Sequence, residues 1–314
     1  MNVQILGAES LGVRGLACRV EAAGRVIVID PGVALGNWRY KLPPHPVQIA
    51  AGRAVRRRIV AALDGATDMV FSHFHGDHVP LSEPNPYQLG FPHLPPGIKT
   101  LRVWSLSPAG QSFTSRARAR ALTDLLGPHF QVAEGLTDGL LRFSPAVPHG
   151  AGGPPFGSVM MTRVDLGGRV FVHASDIQLL DAATIDRILD WAPHCVLAAG
   201  PPIYLDQFDA GQRARAWNNA RRLAAGVDTL ILDHHLMRSE AGLAWLEALS
   251  AEAGKRIHCA ADFMGHPRAL LEARRRELYA AMPVRPGWHD DYARGAASVD
   301  DFGPPGQQES TTRR

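Results

Sequence analysis

The stretch His73-Phe74-His75-Gly76-Asp77-His78 constrains this chain more than any other. It puts four metal-ligand side chains into six residues, directly after the apolar run Asp68–Phe71. Divalent zinc prefers imidazole nitrogen and carboxylate oxygen in a shell of few ligands. A strand end followed by a tight turn can aim such ligands at two adjacent ions, and Gly76 permits the dihedrals that such a turn needs. A lone histidine would read as a polar loop residue; a grouping of this kind points to a metal.

Further candidates sit where a strand is expected to end. His149 follows the apolar run that closes at Val147, Asp176 follows a run ending at His173, and His234 follows Leu230 to Leu232. Each alone could cap or fill a polar pocket. Ligands at strand ends share one edge of a sheet, where they can converge. His173 lies inside its strand and reads as structural, and Asp30 reads as a residue that orients a ligand or braces its turn.

β-branched and aliphatic runs bounded by glycine predict strands at 3–6, 16–20, 26–29, 68–71, 101–106, 140–147, 159–164, 169–173, 195–198, 229–232 and 256–259. Helical patterning predicts helices at 50–63, 114–126, 182–191, 210–225, 240–253 and 267–281. Residues 33–48 and 79–98 are rich in proline and read as loops. Two strand-rich halves with helices distributed through both imply two sheets packed face to face with helices outside, a four-layer α/β sandwich. One domain is expected over residues 1–290, with a disordered polar tail at 291–314.

Composition narrows the rest. The 314 residues are 46% hydrophobic, enough for a large core without disulfide support. A net charge of +3 is small for this length and gives little reason to expect a nucleic-acid partner. Cys18, Cys195 and Cys259 show no CxxC spacing and read as buried, reduced thiols. No secretion signal or long apolar span is visible, so a cytoplasmic location without membrane attachment is the expectation. GAESLG lacks the lysine of a phosphate loop and reads as a plain turn. The arginine runs 56–58 and 116–120 read as solvated helix faces.

FSHFHGDH resembles the HxHxDH signature of the metallo-β-lactamase superfamily. VPHG, HASD, ILDHH and VIVIDPG resemble its later histidine, bridging-aspartate, final-histidine and early-aspartate motifs, in the same order. ESLGVRG, IDPGVALG, RYKLPPHP, GPPIYL, DHHLMR and LLEARRRELY are similar to segments of a little-characterised, archaeal-type family of predicted hydrolases within it. The resemblance implies the αββα metallo-β-lactamase sandwich and two divalent ions, zinc first, with iron or manganese as alternatives. His73, His75 and His149 would hold one ion, and Asp77, His78 and His234 the other, with Asp176 bridging. His235 would replace His234 or sit beside the substrate; Asp77, His235 and Tyr204 are the catalytic candidates, with Tyr40 a further neighbour.

The implied activity is hydrolysis of a small ester, lactone, amide or phosphoester by metal-activated hydroxide. The alternatives are a phosphodiesterase or nuclease of the same fold, an iron-dependent redox enzyme, and a non-catalytic metal-binding protein.

Overall fold

The computed structural model describes residues 2–150 and 157–302. Among the described residues, fourteen strands and eight α-helices follow one another. β1 (Val3–Gly7), β2 (Ala17–Ala22), β3 (Arg25–Ile29), β4 (Asp68–Phe71), β5 (Arg102–Ser105) and β6 (Phe130–Val132) form the first sheet in that order. β7 (Thr137–Asp138), β8 (Leu141–Phe143), β11 (Thr162–Asp165), β12 (Val170–Ser175), β13 (Cys195–Ala198) and β14 (Thr229–Leu232) form the second, ordered β14-β13-β12-β11-β8-β7. Both sheets are mixed. β3 to β6 are parallel in the first, and β12 to β14 in the second.

The parallel strands β12 to β14 of the second sheet are buried on both faces, as helix-covered parallel strands must be. Phe171, Cys195, Leu197 and Ile231 face the first sheet and share its core with Cys18, Ile27 and Ile29. Val172, Val196 and Leu230 point the other way, under α3 (Ala182–Asp190), α4 (Ala210–Gly226) and α5 (Glu240–Ala253). α1 (Pro46–Asp64) buries Val55, Ile59 and Leu63 in the core of the first sheet, with α2 (Phe113–Leu126) further along. The result is the four-layer αββα sandwich that the element pattern implied.

Several expected boundaries move. α1 starts at Pro46, because His45 caps it through Nδ1 and Pro46 supplies the first-turn φ. The strand expected at 140–147 is two: β8 ends at Phe143, and β9 (Val147–Pro148) pairs instead with β10 (Ser158–Val159). Pro145 lies between them and has no N–H for a ladder. The strand expected at 256–259 is reduced to a single bridge between Ile231 and His258. The helix expected at 267–281 becomes α7 (Arg275–Ala281), preceded by an unexpected α6 (Ala260–Met264) that Gly265 ends in a left-handed cap. Residues 291–302, expected in the tail, form the end of α8 (Trp288–Ala293) and a turn that buries Val299. Residues 303–314, the rest of that tail, lie outside the described residues. Among the described residues, no helix is long and apolar enough to cross a membrane.

The parallel strands position the candidate residues. Their carboxyl ends share one edge of the sandwich, where ligands of parallel sheets gather. β3 delivers Asp30, β4 Ser72 and His73, β12 Asp176, and β14 Asp233 and His234. Two glycines let neighbouring turns close on that edge. A Cβ on Gly32 would lie 2.3 Å from the backbone of His78 and Val79, and one on Gly15 would lie 2.5 Å from Asp77 O. Gly32→Ala should therefore destabilise the fold by about 3 kcal/mol, since the contact is backbone and cannot step aside. Chemical denaturation measures it; a loss below half that value would show that the two turns are not locked together.

The cap of α6 gives a pH-dependent stability. Asp262 takes two hydrogen bonds from Arg268, each 2.9 Å. Burial pushes its pKa up, but the Arg268 bonds outweigh burial and bring it down to about 2 from 3.8. The folded pKa is the lower one, so the carboxylate stabilises the fold above about pH 4, and that contribution is lost as pH falls towards 2. The shift corresponds to about 1–2 kcal/mol after solvent screening. Asp262→Asn should lose that amount at pH 7 and only about 0.4 kcal/mol at pH 2, where the folded-state carboxylate is half protonated, which unfolding curves at both values will show.

Candidate metal centre

Asp30 is buried and accepts four hydrogen bonds at the edge where the strands end. Ser72 N and Ser72 Oγ donate to it at 2.8 and 2.6 Å, Ser175 Oγ at 3.1 Å and His78 Nδ1 at 3.0 Å. Ser72 spends its proton on Asp30, so the 2.9 Å contact between Ser72 Oγ and His73 Nδ1 has the imidazole as donor. His73 and His78 therefore both carry their outer proton on Nδ1, and both present Nε2 inward.

Those inward nitrogens meet at Asp176. His78 Nε2 lies 3.1 Å from Asp176 Oδ1. His73, His149, His234 and His235 place Nε2 at 3.5, 3.3, 3.6 and 3.4 Å from Oδ2 of the same carboxylate. His75 completes the ring, its imidazole 4.5 Å from that of His73 and 5.2 Å from that of His149, centre to centre. Asp77 Oδ2 stands 3.4 Å from His234 Nε2.

Two donor groups result, each with one ligand atom per residue within 4.8 Å of the others: His73, His75, His149 and Asp176, then Asp77, His78 and His234. Two further groups join Asp176, His234 and His235, and Asp30, His73 and His78. Every candidate ligand named from the sequence is thus in one place.

The protonation states suit a divalent ion. Burial, then the neighbouring His73 and His149, brings the His75 pKa down to about 3. Burial also lowers His73, and holds His234 and His235 well below the usual range. The Asp77 and Asp176 carboxylates stay ionised: burial opposes this, but the facing imidazoles, His78 first, outweigh it. Neutral imidazoles beside ionised carboxylates are the donor state a metal requires. His78 is the exception, held protonated against burial by the Asp176 and Asp30 carboxylates. A buried proton between two carboxylates stands where an ion would give the same neutralisation.

Backbone strain collects here too. Asp30, Ser175 and His234 have φ of 49°, 54° and 28°, in the left-handed region that non-glycine residues avoid. All three sit at the ends of parallel strands beside the cluster.

Other expectations resolve cleanly. His173 packs between the sheets, with Nε2 2.9 Å from Leu16 O, and is structural. The three cysteines are buried and free. Both His234 and His235 reach Asp176. Gly15 N faces His234 Nδ1 at 3.1 Å and Arg238 Nη2 faces its Nε2 at 2.8 Å. A neutral ring accepts from only one of these two donors, and Nε2 is the atom facing Asp77 and His78. His235 Nδ1 is buried without a hydrogen-bond partner. Tyr204 OH accepts from Arg238 Nη1 at 3.2 Å, and Tyr40 lies 4.3 Å from the Arg276 guanidinium, ring centre to Cζ.

Two arginines escaped the sequence reading. Arg238 is buried, bonded to Glu9 Oε2 at 3.1 Å and 3.6 Å from Asp77 Oδ2. Its one sequence signal is its place four residues after His234. Arg118, expected on a solvated face, reaches back and donates to Phe74 O at 3.1 Å. The turn at Glu9-Ser10 cradles no phosphate: Ser10 N bonds Asp233 Oδ1 at 3.0 Å, and Glu9 holds Arg238.

A UPF0282 protein of Methanosarcina mazei is 47% identical over 302 residues, covering 96% of this chain and 99% of the relative. This chain belongs to the UPF0282 family. No family model matches it. Among solved structures, the UPF0282 chain resembles the isothiocyanate hydrolase from Delia radicum gut bacteria, with a TM-score of 0.51 and 13% identity, covering 82% of this chain and 95% of that one. The metallo-β-lactamase fold protein YhfI of Bacillus subtilis aligns with a TM-score of 0.48 and 13% identity, covering 82% of this chain and 94% of the other. The UPF0282 chain has the metallo-β-lactamase fold that its motifs implied.

Asp30 supports both donor groups. Asp30→Asn keeps the volume, but its amide nitrogen must face donors. The substitution should cost about 3 kcal/mol or more of stability, because several buried donors lose their acceptor at once. Denaturation read against Asp262→Asn checks this; equal losses in the two variants would contradict the bracing role.

Proposed function

We propose that this chain is a metal-dependent hydrolase that binds two divalent ions, zinc in the first instance. The observation that carries this reading is the convergence of six histidines and Asp77 around Asp176. His73, His75 and His149 would hold one ion, Asp77, His78 and His234 the other, and Asp176 would lie between them. The donors fit: all are imidazole or carboxylate, His73 Nε2 is buried without a hydrogen bond, and burial holds His73, His75 and His234 towards the neutral form. Bound in such a site, a pair of divalent ions lowers the pKa of water towards about 7 and polarises the substrate oxygen.

The chain's own residues supply the rest. Asp30 fixes the ring orientation of His78 directly and of His73 through Ser72. Asp77 is one-fifth exposed, with its other side against His234, and can accept a proton from water on the open face. His235 lies on the His149 side, its ring 5.3 Å from that one, where it can donate to the substrate. A small-molecule substrate is the reading that a site recessed among loops favours.

His75 is the test residue, because it is only half-buried and its truncation spares the core. His75→Ala should bind about one zinc fewer per chain and lose more than ~100-fold in ester hydrolysis, the scale expected when a metal site is disrupted. Its thermal unfolding, measured after chelation of both proteins, should match the parent. Parental turnover by the variant, or no metal in either protein, would overturn the assignment.

A further inference from the structure

The charge around the centre exceeds what a neutral substrate requires. Two arginines reach it from separate elements, and a third, from another, packs against one of them. Arg238, in the turn after β14, donates from Nη1 to Tyr204 OH and places Nη2 3.6 Å from Asp77 Oδ2. Arg118, on α2, is held by Phe74 O, and its Nη2 would lie 3.3 Å from a Cβ on Gly76, the residue before Asp77. Arg39, in the loop after β3, donates to Arg238 O at 3.1 Å and covers the Tyr204 ring at 4.8 Å.

Arg238 has carboxylate partners in Glu9 and Asp77. Among the described residues, neither Arg39 nor Arg118 has a carboxylate within ion-pair distance, and Arg39 Nε is buried without a hydrogen bond. Both side chains are half-buried, where an unpaired cation costs more than at an open surface.

The sum is plain. Asp30, Asp77, Asp176, Asp233, Glu9 and Glu272 bring at most six negative charges, which two divalent ions together with Arg14 and Arg238 would neutralise. The guanidiniums of Arg39 and Arg118 are then left in excess, half-buried where a low dielectric strengthens their field.

We propose that the substrate is a phosphoester, and that Arg39 and Arg118 bind its non-reacting phosphate oxygens. This rests on the hydrolase reading above. A planar carboxylate is held well by one forked arginine; a tetrahedral phosphate offers oxygens in several directions and suits cations arriving from separate elements. Tyr204 accepts from Arg238, which leaves its own O–H to donate to the same group. Water forms one new P–O bond, and the P–O bond to the leaving alcohol breaks. The alcohol leaves with one proton, the other goes to solvent or the new phosphate, and no electron carrier is needed.

Full-length, zinc-loaded protein should be assayed with bis(p-nitrophenyl) phosphate, p-nitrophenyl phosphate, p-nitrophenyl acetate and δ-valerolactone. One of the two phosphoesters should exceed both neutral substrates in kcat/KM by about 100-fold or more, on the scale expected for charge stabilisation at a reacting centre. Inorganic phosphate binding, followed by calorimetry, should weaken about tenfold or more in Arg39→Gln and in Arg118→Gln at unchanged zinc content, the loss of one charged hydrogen bond. Faster turnover of the acetate or lactone would overturn the phosphoester assignment and leave the hydrolase reading standing. Equal phosphate affinity in parent and variants would overturn the arginine assignment. Turnover of none of the four would sink the hydrolase reading and this proposal with it.

Discussion

The buried carboxylate of Asp30 is the interaction on which the site depends. An isolated buried carboxylate is costly; four donors offset the cost here, and they come from both halves of the sandwich. Ser72 follows β4 in the first sheet, and Ser175 ends β12 in the second. The same oxygens that align two imidazoles thus tie the two sheets together at their open edge. The left-handed φ of Asp30 and Ser175 follows from this arrangement, since both chains must turn sharply to bring polar groups to one point. Site geometry and sheet packing are one constraint seen from two sides.

That constraint explains why so much of the site was legible in the sequence. Histidines and aspartates at strand ends are a local signal, and parallel strands send their ends to a shared edge. HFHGDH, Asp176 and DHH could be placed before any coordinates. Asp30 could be assigned a bracing role because DPG closes an apolar strand. What escaped depends on distance in the chain rather than on local pattern. Arg238 looks like any arginine in a turn, and its meaning comes from Glu9, 229 positions away. Arg118 sits at a helical position that reads as solvated, yet the turn after β4 lies beneath it.

Local chemistry misled in fewer places. His45 is an unusual helix cap, so α1 was expected to start late. Pro145 was read as part of an apolar run, although it lacks the N–H that a continuous strand needs. In the C-terminal third, α6 is too short for periodicity to show. Its cap rests on Cys259 and on Asp262, and Ala260 N also donates to Asp233 Oδ2 at 2.8 Å. That helix is placed by the site segment more than by its own sequence.

The N-terminal loop carries the same logic furthest. Ser10 holds Asp233, Gly15 faces His234 and Glu9 holds Arg238, so residues 9–15 underpin the last ligand segment. Candidate ligands run from His73 to His235, and their supports reach back to Glu9. Closing such long loops costs chain entropy that only many joint contacts offset. An ion held by His73, His149 and Asp176 would add its binding energy to those contacts, and by linkage would stabilise the docking of one half of the chain on the other. Such a centre would then help to hold the two sheets together, and the burial of Asp30, Asp176 and His78 would be the structural cost of putting it there.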